Sequence, residues 1–134
     1  MSERWDRGLE AYASQFGIEP SAVLEHMTAL VGERMAREAI ISAAGAWEDD
    51  CLNLRDRSLI VLTALIVQGG AEARMRPHVR WAVAHGSTRD ELEAMCALLG
   101  VYAGYPKASV GVEIVRDELD KLEASSEPST ARAT

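Results

Sequence analysis

Residues 59–68 read Leu-Ile-Val-Leu-Thr-Ala-Leu-Ile-Val-Gln and run straight into Gly69-Gly70. No other stretch restricts the fold so tightly. Asn53 stands ahead of the run as a helix cap, and Asp56 in the first turn complements the helix dipole. The run is rich in β-branched residues, so a strand competes with a helix. Its length and its lack of turn residues favour a helix over 55–68. A helix that is apolar nearly all round has to be hidden, either at the centre of a bundle or in a contact between subunits.

The rest of the chain supplies further helices. Trp5, Leu9, Tyr12, Ala13 and Phe16 fall on one face of a helix over 3–16, and Gly17 is placed to stop it. A second segment opens at Glu19-Pro20-Ser21, with Pro in the first turn. It carries Val23, Leu24, Met27, Leu30 and Val31, then Met35, Ala39, Ile40 and Ala43, and it splits in two if Gly32 or Gly45 breaks it. Glu48-Asp49-Asp50 is an acidic loop. A helix over 73–85 follows, with Pro77 in or near its first turn and Gly86 as its stop. Thr88 and Glu91 form a capping box for a fifth helix bearing Leu92, Met95, Cys96, Leu99 and Tyr102. Gly104-Tyr105-Pro106 breaks the chain before a sixth helix over 107–123. There is no strand pattern and no repeat. The expectation is one all-α domain of about six helices over 1–123. Residues 124–134, built from Ser, Pro, Thr, Ala, Glu and Arg, are expected to be a disordered tail.

The formal net charge of −7 argues against nucleic acid and against an anionic membrane surface as partners. It leaves room for a small anion, because local arginines can oppose the global sign. No stretch approaches the ~18 apolar residues of a membrane span, and the first residues, charged from Glu3 onward, show no apolar leader. Cys51 and Cys96 form neither a CxxC nor a metal-ligand spacing, as expected of reduced thiols in a cytoplasmic protein.

Candidate chemistry concentrates on the fourth segment. His78, Trp81, Ala82 and His85 share one helical face. His78 suits general acid or base work near neutral pH; a histidine merely hydrogen-bonded at a helix start is the plainer alternative. A metal would need more ligands than His26 and scattered carboxylates supply, so none is expected. Arg55, Arg57, Arg74, Arg76 and Arg80 offer guanidinium groups for a carboxylate, or else a solvated basic face. Arg55 and Arg57 begin the third segment, whereas Arg74 and Arg76 follow its end. Joining the two groups in one cleft therefore needs another chain element or another subunit. Tyr102 and Tyr105 flank the Gly104 break and either line a pocket or pack in an interface.

Taken in order, 52–60 (LNLRDRSLI), Ala64-Leu65-Ile66, 76–80 (RPHVR), Gly86, Glu91-Leu92 and 101–106 (VYAGYP) resemble the carboxymuconolactone decarboxylase family. Ala44-Gly45-Ala46-Trp47 is similar to its Trp-Gly segment. The resemblance covers roughly 43–116. It implies a helical fold assembled as a homo-oligomeric ring, a trimer or hexamer. It also implies a cofactor-independent loss of CO2 from a small carboxylated lactone of aromatic-acid degradation. On this chain it assigns proton transfer to His78, the carboxylate to Arg57, Arg80 or Arg74, and ring orientation to Tyr102 or Tyr105. A non-catalytic oligomeric ligand-binding protein is the second reading. The related alkylhydroperoxidases of the AhpD type carry CxxC ahead of this histidine; those positions fall here at Ala71 and Arg74. The acid expected at the start of the third segment is replaced near Ser58. A thiol relay therefore has no nucleophile or resolving partner. Arg74 also stands where the decarboxylases often have Glu, which turns a local acid into a base.

Overall fold

The computed structural model describes residues 3–126. Every regular element among them is helical. They are α1 (Glu3–Phe16), a 3-10 turn (Pro20–Ala22), α2 (Val23–Val31), α3 (Glu33–Ala46), α4 (Leu54–Gln68), α5 (Glu72–Ala84), α6 (Arg89–Tyr102) and α7 (Tyr105–Ser126). The chain divides into two compact units, Met1–Leu52 and Asn53–Thr134.

In the first unit α1 packs on α3, and α2 closes the core. Trp5, Ala13, Val23, Met27, Ala36 and Ile40 are buried together. Gly32, at φ 85°, separates α2 from α3, while Gly45 lies inside α3; of the two glycines expected to break this segment, Gly32 does so. Left-handed backbone costs glycine nothing, and a side chain at Gly32 would resist it.

The second unit is built from α4, α5, α6 and α7. Leu62 and Ile66 of α4, Met75, Val79 and Ala82 of α5, Leu92 and Cys96 of α6 and Ile114, Val115 and Leu119 of α7 form its core. The helix starts follow the sequence. Asn53 Oδ1 accepts from the Asp56 N–H at 2.8 Å. Thr88 and Glu91 close a reciprocal capping box on α6.

Four details depart from the sequence expectations. Among the described residues seven α-helices stand where about six were expected, because Gly32 divides the second segment. Pro77 is the sixth residue of α5, past its first turn. It forfeits one backbone hydrogen bond inside the helix, a loss that packing of Met75 and Val79 offsets. Buried α4 residues are confined to the Ser58–Leu62–Ile66 seam, and Ile60 on the other side is 54% exposed. Finally, α7 starts at Tyr105 and runs to Ser126, so 124–126, expected to be disordered, are helical. The remainder of that expected tail, 127–134, lies outside the described residues.

Candidate functional site

α5 sets the candidate site, because residues 74, 78, 81 and 85 recur at helical spacing along one of its sides. His78 is half-buried. Its ring meets Trp81 edge-on, with centroids 4.6 Å apart and planes at 89°. Burial disfavours the imidazolium and pushes its pKa down to about 4. At neutral pH His78 is therefore an uncharged imidazole. Arg74 lies one turn before it and is exposed; among the described residues its guanidinium forms no ion pair.

The other nominated residues are spread more widely. Arg80 is two residues from His78, so their side chains diverge by roughly 200° around the helix. Its Nη1 donates to Glu118 Oε2 of α7 at 3.0 Å. Arg76 donates to the same carboxylate at 2.8 Å and to Asp117 at 2.6 Å. This Arg80 charge is already matched by a buried acid. Tyr102 and Tyr105 are 83% and 77% exposed on either side of Gly104, whose φ is 100°. Arg57 is half-buried on α4, and its charge acts on His85.

Around His85 the α4–α5 hairpin makes a contact that sequence reasoning did not pair. Ser58 Oγ and His85 Nδ1 are 2.6 Å apart. Burial, and then the charge of Arg57, lower the His85 pKa. Arg55, in the same first turn of α4, pairs with Asp56 and with Glu91 of α6. Ser58 and His85 were each visible in the sequence, one at the position of a missing acid and one on the His78 face. Their 27-residue separation hid the pairing, which needs the antiparallel packing of two helices.

A cavity of about 240 Å³ opens elsewhere in this unit, among Ile66, Met75, Pro106 and Val110, with Glu72 and Lys107 as its charged members. Lys107 Nζ is committed to the Val67 carbonyl at 2.8 Å. None of the nominated residues lines this cavity. Cys51 is exposed and Cys96 buried, both as free thiols. Burial, with a smaller contribution from Glu93, pushes the Cys96 thiol up to about 11, so it stays protonated. Among the described residues there is no cluster of His, Cys, Asp or Glu that could hold a metal ion, and no helix long and apolar enough to cross a membrane.

No curated protein matches the sequence. The carboxymuconolactone decarboxylase family does match it, over residues 35–117, which take in α4, α5 and α6 whole and most of α3. That span is more than half of the chain, and the chain belongs to the carboxymuconolactone decarboxylase family.

Proposed function

We propose that this protein is a cofactor-independent carboxy-lyase for a small carboxylated lactone, with His78 as its proton carrier. Family membership supports the reaction class. The half-buried, uncharged imidazole of His78 beside Trp81 is the observation that carries the assignment. In such a reaction the bond from ring carbon to carboxylate breaks and CO2 leaves. The electron pair moves into the conjugated lactone carbonyl as an enolate, and a carbon of the ring then takes up a proton. A neutral imidazole can take a proton from water and pass it to that carbon, which supplies the one proton these steps consume. Arg74 and Arg57 are the cations assigned to the substrate carboxylate, with Arg80 held back by Glu118. Tyr102 or Tyr105, both open to the outside, orient the ring from a neighbouring copy in a trimer or hexamer. The free thiols of Cys51 and Cys96 agree with a cytoplasmic location.

The test is CO2 release from carboxymuconolactone, followed as loss of substrate absorbance. His78→Gln should cut turnover by at least ~100-fold while the fold and oligomer persist. Because burial holds the His78 pKa near 4, the wild-type rate should survive acidification below the ordinary histidine range of ~6.5. Arg74, basic where the family is often acidic, favours a second reading, an oligomeric binding protein without turnover. In that case carboxymuconolactone binds with unchanged affinity after His78→Gln, and neither protein releases CO2.

A further inference from the structure

The cavity of about 240 Å³ lies between the end of α4, the start of α5 and the start of α7. Ile66, Met75, Pro106 and Val110 give it an apolar wall. Ile66 leans on Gly111 of α7, where a Cβ would come within 2.9 Å of its Cγ1. The missing methyl leaves Ile66 room beside α7, and the cavity stays open. A dry protein cavity of about 150 Å³ holds one benzene ring. This one therefore takes a ring with a short chain. Two charged residues complete the lining, Glu72 and Lys107. Lys107 Nζ donates to the Val67 carbonyl at 2.8 Å, in the last turn of α4, where the helix dipole is negative. That helix end balances its charge. Glu72 forms no ion pair among the described residues, with Lys107 or with any other cation. A first-turn acid complements its own helix, which would explain an isolated Glu72. Glu72 is not isolated: it supplies the one unpaired charge on the wall of an apolar cavity.

We propose that this cavity binds a small arylalkyl amine, with its ring among Ile66, Met75 and Pro106 and its ammonium on the Glu72 carboxylate. The Met75 thioether favours an aromatic body over an aliphatic one, because sulfur makes attractive contacts with ring edges. An ammonium on a carboxylate makes a charge-assisted hydrogen bond, about twice as strong as a neutral one. A carboxylated ring of the same size meets the like charge of Glu72 and is disfavoured. The ligand class thus differs from the carboxylated lactone assigned to His78. His78 is not among the lining residues, so this site stands whether or not the protein releases CO2.

Titration of the full chain with phenethylamine, followed by calorimetry and by methyl NMR, tests the site. The amine should bind saturably and shift the methyl signals of Ile66 and Met75. Glu72→Gln keeps the shape, removes the charge and should weaken the amine about tenfold, the loss of one charge-assisted contact. Phenylethanol, the neutral isostere, should bind the wild type about as weakly as the amine binds Glu72→Gln. Gly111→Ala, which drives Ile66 into the space, should weaken both ligands alike. Absence of saturable binding overturns the proposal, as does an amine affinity that Glu72→Gln leaves unchanged. Phenylpropionate binding more tightly than the amine overturns the charge assignment. Saturable binding that leaves Ile66 and Met75 unmoved places the ligand elsewhere and also overturns it. If Gly111→Ala does not fold, Glu72→Gln and the methyl shifts decide alone. His78→Gln should leave amine binding intact while removing CO2 release, so the two sites fail separately.

Discussion

Gly8 of α1 stands where a methyl group has no room, because a Cβ there would overlap the Ile40 carbonyl oxygen of α3. The obstacle is backbone and cannot rotate away. Gly111 of α7 poses a milder version of the same problem. A Cβ there would meet Ile66 Cγ1 at 2.9 Å, but Ile66 is a side chain that borders the cavity and can shift. Alanine gains up to ~1 kcal/mol of helix propensity at either place. Gly8→Ala should nevertheless destabilise the protein by about 3 kcal/mol, and Gly111→Ala by about 1 kcal/mol or less. Urea unfolding of both variants measures the order. Equal losses would mean that α1 and α3 can separate as easily as Ile66 moves. Neither glycine signals its role in sequence, since both lie inside helical patterns that an alanine would fit as well.

α5 and α7 are held together by a charge cluster as well as by their apolar faces. The Glu118 carboxylate is nearly buried and accepts from both Arg76 and Arg80. Burial alone would raise its pKa; the hydrogen bonds from Arg76 and Arg80 outweigh that, and the net shift is downward. A carboxylate whose folded pKa lies below its unfolded one stabilises the protein above the unfolded value, ~4.3. That contribution fades as pH falls through the folded pKa. Glu118→Ala should cost about 2 kcal/mol at pH 7. This is less than for a fully buried pair, because the two arginines are 37% and 47% exposed and can rehydrate. The deficit should shrink on acidification toward pH 3, as thermal unfolding across pH would record. A deficit that stays constant would assign the loss to packing instead. The arginines were legible as a basic group on α5. Their commitment to an acid some 40 residues later was not, because it depends on the register of α5 against α7.

For the whole molecule, surface rather than core sets the expectation. Leu98, Val101, Tyr102, Tyr105 and Val110 are exposed around the α6–α7 turn, and Ile60 and Val67 are exposed on α4. Monomeric proteins seldom leave such groups of large apolar side chains in water. A homo-oligomer is the proposed cover, and sedimentation should find a trimer or hexamer. Replacing Val101 and Tyr105 together by Ser should shift it to smaller species without loss of helix content. A wild-type monomer at micromolar concentration would remove the oligomer and, with it, the tyrosines' part in the site.

The sequence by itself determined the helices, because periodicity, caps and left-handed glycines are local matters: Asn53, Thr88 with Glu91, Gly69 and Gly104 act within a turn of their own positions. It also carried the family, in the ordered residues from Leu52 to Pro106. Only the tertiary structure decided which charges and hydroxyls meet. Arg80 turns to Glu118, and Ser58 reaches across the hairpin to His85. Such pairings depend on how two helices register and rotate against each other, and that is fixed by the summed packing of their buried faces, which no single residue announces.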